Sequence, residues 1–300
     1  MRVRLLVNPR SGKGLGPRLA AEFGRCAVRD GHEVTSATLP ARTPAPEPHD
    51  PGPDVVAVFG GDGTVHHSLP ALAGSPTALY HVPLGTENLF ARGFGMDRDP
   101  ERFAAALRSG SVLATDLGEC NGRLFAIMAS VGPDAGLIHR MAGARRGTIS
   151  HWSYLRPALA ELARPRFCPL SVLIDGSEAA CAQSGFAIVA NSRCYALGLD
   201  PARRALVTDG LLDVVFYPCR GRARALGWIA RTAQGRHMQA PALIYRQGRE
   251  VVLSSEGQDH PPVYQLDGEA VTGAARTLTM RVIPGALRVL VPAPGAGAAR

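Results

Sequence analysis

Residues 54–72 read DVVAVFGGDGTVHHSLPAL, and this stretch decides the fold of the first part of the chain. Residues 55–59 form a short apolar run rich in β-branched side chains, which predicts a strand buried on both faces of a parallel sheet. Glycines then bracket Asp62, and Thr64 is placed to cap a helix that continues to residue 72. Such a turn brings backbone N–H groups to the carboxyl edge of the sheet, where open α/β folds bind anionic ligands.

Asp62 is the unusual member of this turn, because a carboxylate repels phosphate unless a divalent cation or a transferred proton lies between them. The turn therefore points to a nucleotide with magnesium. A tight connection without function is the alternative interpretation of a glycine-rich turn. GGDGT, at residues 60–64, resembles the signature shared by diacylglycerol kinases, sphingosine kinases and, more distantly, NAD kinases and 6-phosphofructokinases.

Two further glycine-rich segments follow predicted strands. NPRSGKG, at residues 8–14, comes after the strand predicted over residues 3–7, and PLGTENLFARGFG, at residues 83–95, comes after the strand predicted over residues 77–82. Because parallel strands end at the same edge of a sheet, we expect all three loops to converge on one site. The two segments resemble N-P-x-S-G-x-G and P-x-G-T-x-N-x-F-A-R of the diacylglycerol kinase family, and the second argues against an NAD kinase.

The pattern of elements predicts an α/β plus β fold in two domains. Up to residue 115, strands alternate with helices, which indicates a doubly wound α/β domain. Residues 116–284 are dominated by strand-like segments, which predicts an antiparallel β-sandwich. The resemblance implies that the first domain binds ATP and that the second holds the lipid substrate. The resemblance implies that a last strand, at residues 287–291, returns to the first domain, so that residues 285–300 belong with it. The strands expected in the second domain lie at residues 112–117, 124–131, 170–175, 186–190, 212–217, 250–254, 263–266 and 278–282.

Composition narrows the class of protein. Three hundred residues that are 46% hydrophobic suffice for two cores. The six cysteines form no C-x-x-C pair and have no nearby histidine, which disfavours a zinc site or a disulfide framework. No apolar run is long enough for a signal peptide or a membrane span, so we expect a cytoplasmic protein. The net charge of +8 fits an anionic substrate or membrane surface, whereas few aromatics accompany the basic residues, which disfavours nucleic acid.

The resemblance implies ATP and Mg²⁺ as cofactors, with the nucleotide lying across the three loops. Thr38, at the end of the strand predicted over residues 32–39, could reach a phosphate with its hydroxyl, or could be an ordinary strand threonine. The residues expected to contact the nucleotide are Asn8, Ser11, Gly12, Thr38, Gly60, Gly61, Asp62, Gly63, Thr64, Thr86 and Asn88.

The candidate catalytic base lies in the second domain. Transfer of a phosphoryl group to a lipid hydroxyl gains roughly 10²–10⁴-fold from a base within hydrogen-bond reach. Asp267 and Gly268 predict a hairpin turn, and the resemblance to the D-G-E segment of the lipid kinases implies that Glu269 takes the proton of the substrate. The resemblance also places Asp116 with Asp62 and Glu269 around water and magnesium.

A second magnesium site is implied by DGLLD at residues 209–213, which resembles the D-G-x-L-D segment of the family. There Asp209 would hold a structural Mg²⁺ with the carbonyls of Leu211 and Leu206. A plain Asp-Gly turn is the alternative. The family often has Asn-Glu where this chain has His66 and His67, and the two histidines point about 100° apart on a helix, so they do not form a chelating pair.

Two predicted helices, at residues 149–164 and 222–234, carry arginines beside aromatic and aliphatic residues. Such helices either pack on the β-sandwich or lie at a membrane interface. The resemblance, which covers nearly the whole chain, implies an ATP-dependent kinase that acts on diacylglycerol, a sphingoid base or another long-chain alcohol. The alternatives are an NAD kinase-like enzyme and a non-catalytic nucleotide or lipid sensor, and the sequence selects neither the lipid nor the oligomeric state.

Overall fold

The computed structural model describes residues 1–39, 52–133, 135–136, 138, 167–255, 263–272 and 275–292. The chain divides into two compact units, Met1–Thr115 with Gly285–Arg300, and Asp116–Pro284. The helix predicted over residues 149–164 lies outside the described residues. Within the described part of the chain, no helix has the length and apolar character that a membrane crossing requires.

The first unit is a parallel sheet with helices. Its sheet order is β2-β1-β3-β4, and every neighbouring pair is parallel. The chain moves from β1 outward to β2 and then back to β3 on the other side of β1, which confirms the doubly wound prediction and puts the switch point between β1 and β3. The elements are β1 (Arg2–Val7), α1 (Gly16–Arg29), β2 (Glu33–Thr38), β3 (Val55–Gly60), α2 (Asp62–Leu72), β4 (Ala78–Pro83), α3 (Leu89–Gly93) and α4 (Pro100–Ser109).

The core of the first unit is built on β3, whose six residues are all buried. This confirms the prediction of a strand covered on both faces. Phe23 of α1 packs against Phe59 of β3 and Phe103 of α4, with ring centroids 5.2 Å and 5.3 Å apart. The helix α4 begins where Asp99 accepts a hydrogen bond from the Glu101 backbone N–H, as an N-cap residue does.

The second unit is antiparallel, as predicted. Its long strand β9 pairs first with β8 and then, over residues 185–190, with β10, while β7 pairs with its last four residues. β8 continues through β12 to β15. The elements are β5 (Val112–Cys120), β6 (Arg123–Phe125), β7 (Met128–Val131), β8 (Cys168–Ile174), β9 (Ser177–Ala190), β10 (Leu212–Pro218), α5 (Arg222–Ala233), β11 (Ile244–Gly248), β12 (Glu250–Ser254), β13 (Tyr264–Leu266), β14 (Glu269–Val271) and β15 (Thr277–Leu290).

Several strands differ from the sequence prediction: β11 was not predicted, and β9 begins at residue 177 where a strand was expected only over residues 186–190. The strand expected over residues 124–131 is split into β6 and β7, because the N–H groups of Ala126 and Ile127 donate to the carboxylate of Asp267 instead of to a neighbouring strand. The two strands expected near the end of the chain form the single strand β15. Its first part pairs with β12, and in the first unit its last part pairs with β4 in parallel, Arg288 opposite Ala78.

Candidate active site

Three glycine loops lie side by side at the carboxyl edge of the first unit's sheet. We call residues 8–14, 60–64 and 83–88 loops 1, 2 and 3, and they follow β1, β3 and β4. The Asn8 N–H donates to the Phe59 carbonyl at 3.0 Å, and the Leu84 N–H donates to the Gly60 carbonyl at 2.7 Å. Loops 1 and 3 therefore both hydrogen-bond to the end of β3.

Asn8 also joins loop 1 to loop 2 through its side chain, since its Nδ2 donates to the Thr64 Oγ1 at 3.0 Å. Thr64 is buried inside α2, which begins at Asp62 with Gly61 as its N-cap residue. The expectation that Thr64 caps the helix is therefore wrong. Its side chain lies over Gly60, where an added Cβ would clash with it.

Glycines allow loop 3 to approach the other two loops. A Cβ added to Gly85 would lie 2.7 Å from the Gly61 Cα, and one added to Gly12 would lie 3.1 Å from the Leu84 Cβ. Asn88 adopts a left-handed conformation with φ +49°, and its side-chain amide both accepts from the Gly85 N–H and donates to the Gly85 carbonyl. Asn88 therefore holds the shape of loop 3.

Asp62 lies in the first turn of α2 and is half-buried. Its Oδ1 accepts a hydrogen bond of 3.0 Å from the Phe90 backbone N–H in α3. The helix dipole also favours a negative charge at this position. The carboxylate is thus fixed between loop 2 and the helix that follows loop 3.

The remaining nucleotide candidates lie at the same edge. Thr38 is the last residue of β2, is exposed, and pairs in register with Val7 of β1, which precedes loop 1. The Ser11 N–H donates to the Asn8 carbonyl at 3.2 Å. Thr86 is half-buried within loop 3. The structure therefore places every candidate nucleotide-binding residue along one edge of one sheet.

Sequence reasoning missed His81, which lies fully buried in β4. Its Nε2 is 2.9 Å from the Gly60 carbonyl, so the neutral ring donates to the residue that opens loop 2. Burial lowers the pKa of His81 to about 4, and its Nδ1 has no hydrogen-bond partner among the described residues. The ring also contacts Phe90, with centroids 6.0 Å apart. A single histidine within an apolar strand carries no sequence pattern that could have shown this.

In the second unit, Asp267 and Gly268 have φ of +50° and +81° and join β13 to β14, which confirms the predicted hairpin turn. Asp267 is only 7% exposed. Its carboxylate accepts three backbone hydrogen bonds of 2.8–3.0 Å, a contact that sequence reasoning missed, from the N–H groups of Ala126, Ile127 and Met128. Glu269 is the next residue after this fixed turn and is half-buried.

Asp116 is 4% exposed and is tied to the segment that carries Asp209. Its Oδ2 accepts from the Gly210 N–H at 2.7 Å, and its own N–H donates to the Val207 carbonyl at 2.7 Å. Asp209 is exposed, and its Oδ1 accepts from the Leu211 N–H at 3.1 Å. No cluster of three histidine, cysteine or acidic side chains suited to a metal occurs in the described parts of the chain, so both magnesium sites remain predictions.

Comparison with known families gives this geometry its context. Residues 2–120 match the diacylglycerol kinase catalytic domain, and residues 128–291 match the YegS C-terminal NAD kinase beta sandwich-like domain. The chain is 31% identical over 250 residues to a diacylglycerol kinase of Mycobacterium tuberculosis, and the matched region covers 81% of this chain and 79% of the relative. It is 32% identical over 242 residues to a Pseudomonas aeruginosa protein named "Probable lipid kinase YegS-like", with coverage of 78% and 75%.

Solved structures share the fold. The crystal structure of a diacylglycerol kinase from Bacillus anthracis strain Sterne superposes with a TM-score of 0.65 and 16% identity, over 97% of this chain and 96% of that one. Yeast NADH kinase complexed with NADH gives a TM-score of 0.52 and 12% identity, over 94% and 80%. On the two domain matches and the bacterial relatives, the chain belongs to the diacylglycerol kinase family of lipid kinases.

Proposed function

We propose that the protein transfers the γ-phosphate of ATP to the hydroxyl of a lipid. The observation that carries this proposal is the set of three interlocked glycine loops around Asp62 at the start of α2. Diacylglycerol is the first candidate acceptor, because the relative from M. tuberculosis is named a diacylglycerol kinase. Sphingoid bases and other long-chain alcohols present the same hydroxyl and are further candidates.

The first unit is suited to bind the triphosphate. Backbone N–H groups at the start of α2 and in loops 1 and 3 would donate to phosphate oxygens, as they do at many phosphate-binding helix N-termini. Ser11 and Thr86 would add hydroxyl contacts. His81 and Asn88 hold the carbonyl of Gly60 and the backbone of Gly85, so that these loops are formed before the nucleotide arrives.

In the proposed reaction, the lipid hydroxyl oxygen attacks the γ-phosphorus while the bond to the β–γ bridging oxygen breaks. ADP leaves, and the hydroxyl proton passes to the carboxylate of Glu269. The preceding turn is fixed by the three hydrogen bonds to Asp267, which holds the backbone of Glu269 in one position. The second unit would thereby supply a positioned base.

Magnesium, when bound, would neutralise phosphate charge. By the resemblance to the family, the carboxylates of Asp62 and Asp116 would hold the ion that accompanies the nucleotide. Asp209, with the carbonyls of Leu211 and Leu206, offers a separate set for a structural ion. Carboxylate and carbonyl oxygens are the ligands that Mg²⁺ prefers, and the exposure of Asp209 leaves room for the water molecules that Mg²⁺ usually retains.

The test is transfer of labelled γ-phosphate from ATP and magnesium to a panel of lipids in mixed micelles. We expect product with the parent protein, a loss of roughly 10²–10⁴-fold in Glu269→Gln, and loss of product in Asp62→Asn. Glu178→Gln is the matched control, because Glu178 is an exposed glutamate beside another Asp-Gly turn of the same unit, and it should keep full activity. ATP binding with no product on any lipid would favour a sensor, and formation of NADP from NAD would favour the NAD kinase alternative.

A further inference from the structure

The helix α5 has one buried and one exposed face in the second unit. Ala225, Trp228 and Thr232 are buried, and the Trp228 Nε1 donates to the Pro218 carbonyl at 3.0 Å while its ring packs edge-on against Tyr217. This face anchors the helix on the β-strands. The tryptophan, a frequent membrane-interface residue, is therefore used inside the unit.

The opposite side of α5 consists of arginine, alanine, glycine and two large aliphatic residues. Leu226 is 51% exposed and Ile229 is 46% exposed, and their spacing of three residues puts them beside each other on one side of the helix. We call this surface the α5 outer face. Its large side chains are those of Arg222, Arg224, Leu226, Ile229 and Arg231.

The charged side chains in the sequence around α5 are all positive. Residues 214–249 contain seven arginines and no aspartate or glutamate. Arg222, Arg224 and Arg231 are exposed, and within the described ranges none of them forms a salt bridge. The α5 outer face is therefore a cationic surface with an aliphatic centre.

The helix α1 of the first unit provides the contrast. Val28 is 58% exposed and Leu15, just before the helix, is 43% exposed, so apolar exposure alone does not distinguish α5. On α1, however, Arg18 pairs with Glu22 at 3.1 Å, and Arg29 pairs with Asp30 and Glu101. Among the described residues, two arginines of α1 are paired and Arg25 is not, whereas all three arginines of the α5 outer face lack a salt bridge. The helix α5 therefore has the higher density of unneutralised charge beside exposed aliphatic residues.

We propose that the α5 outer face docks the protein on bilayers that contain anionic lipid. Leu226 and Ile229 would enter the boundary of the acyl chains, and the arginines would contact headgroup phosphates. Nucleic acid is a poorer fit, because this face presents neither aromatic rings for stacking nor amide side chains for base edges. The proposal rests on the proposed function only in that a lipid kinase must meet its substrate in a membrane.

Vesicle sedimentation without nucleotide tests the docking separately from catalysis. The full chain should pellet with equimolar phosphatidylcholine and phosphatidylglycerol and stay in the supernatant with phosphatidylcholine alone. Leu226→Ser/Ile229→Ser should reduce partitioning at least about tenfold. Arg222→Gln/Arg231→Gln should reduce it about 25-fold, roughly fivefold for each arginine. All four side chains are exposed, so both variants should keep the parent melting temperature.

Matched controls on α1 are Leu15→Ser/Val28→Ser and Arg18→Gln/Arg25→Gln, which should pellet like the parent protein. Equal pelleting with neutral and anionic vesicles, or an equal loss in the α1 and α5 variants, would overturn the proposal. Absence of pelleting with phosphatidylglycerol vesicles, together with binding to an acidic protein in solution that the α5 variants lose, would assign the surface to a protein partner instead.

Activity on a short-chain diacylglycerol dissolved as monomers separates this inference from the proposed function. Phosphorylation of the soluble lipid together with absence of vesicle binding would overturn the docking and leave the kinase intact. Vesicle binding that depends on α5, without phosphorylation of any lipid, would support the docking and overturn the proposed kinase activity. The α5 variants should keep parent activity on the soluble lipid and lose it on lipid in anionic vesicles.

Discussion

Two Asp-Gly hairpins in the second unit have nearly the same backbone and different surroundings. Asp175 and Gly176 join β8 to β9 with φ of +48° and +75°, and Asp267 and Gly268 join β13 to β14 with φ of +50° and +81°. Both aspartates accept backbone hydrogen bonds from a distant segment, Asp175 from the N–H groups of Arg249 and Glu250. Asp175 is exposed, whereas Asp267 is 7% exposed.

The difference in burial decides whether the aspartate of the turn is needed as a hydrogen-bond acceptor. Around Asp175, water can replace the carboxylate, because its two backbone donors belong to exposed residues. Around Asp267, the donors Ala126, Ile127 and Met128 are at most 6% exposed, so the carboxylate is their necessary acceptor. The buried turn is also the one that is followed directly by a glutamate.

The largest expected difference between the hairpins is in catalysis. Glu269→Gln should lower kcat roughly 10²–10⁴-fold with little change in KM for ATP, because the proton acceptor is lost and the nucleotide contacts remain. Glu178→Gln, beside the exposed hairpin, should leave kcat unchanged. Steady-state kinetics on the best lipid measures both, and equal activity of the two variants would remove Glu269 from the proposed mechanism.

The next difference is in stability. Asp267→Ala should destabilise the protein by at least about 3 kcal/mol, because three buried N–H groups lose their acceptor at about 1–3 kcal/mol each. Asp175→Ala should cost about 1 kcal/mol or less, because water satisfies the exposed donors. Urea unfolding followed by circular dichroism checks both values. A cost for Asp175→Ala as large as that for Asp267→Ala would show that burial does not separate the two turns.

The buried ring of His81 in the first unit makes the stability of the protein depend on pH, so the stabilities of the hairpin variants should be compared above pH 6.5. Its pKa of about 4 in the folded chain lies below the ordinary value of 6.5, so the unfolded chain binds the proton more readily. Stability contributed by neutral His81 is fully present above pH 6.5 and is lost as the pH falls towards 4, by about 3 kcal/mol in total.

Denaturant titrations at pH 7, 5.5 and 4.5 measure this loss. His81→Gln retains an N–H donor without a titrating ring, so it should show a shallower decline than the parent. Parallel declines of the two proteins would assign the acid sensitivity to other groups.

The smallest difference concerns the glycines of the two turns. Gly176→Ala and Gly268→Ala should each lower the free energy of unfolding by about 1 kcal/mol, because alanine is strained at positive φ. No steric clash adds to this cost, since an added Cβ would meet no atom within 4 Å at either position. Only Gly268→Ala should lower kcat, by tenfold or more, because it moves the neighbouring Glu269. Melting temperatures and kcat of the two variants sharpen the comparison if stability changes equally and activity does not.

Local patterns predicted much of the fold and the candidate site. The run at residues 55–59 is buried on both faces as expected, and Asp267 and Gly268 form the predicted turn, because these features depend on neighbouring residues. The three loops lie together because parallel strands end at one edge, so three short motifs were enough to predict their neighbourhood.

The features that sequence reasoning missed depend on distant residues. Asp267 bonds to backbone groups 139–141 residues earlier in the chain, and those bonds divide one predicted strand into β6 and β7. His81 reaches a carbonyl 21 residues away. β15 continues through Pro284 because it is paired on both sides of that residue, with β12 over residues 277–281 and with β4 at residues 288–289, whereas the sequence predicted two separate strands. Burial and pairing over such separations leave no periodic signal in the sequence.

The strand β15 also has a consequence for how the protein is made. Its last part covers the edge of β4 in the first unit, where Arg288 pairs with Ala78, a separation of 210 residues (288 − 78). At about 5–20 residues per second, the ribosome adds that partner roughly 10–40 s after β4 has emerged. During that interval β4 presents an unpaired edge, the kind of surface that chaperones cover and that otherwise aggregates. The first unit therefore completes its sheet in the cell only after β15 has been translated.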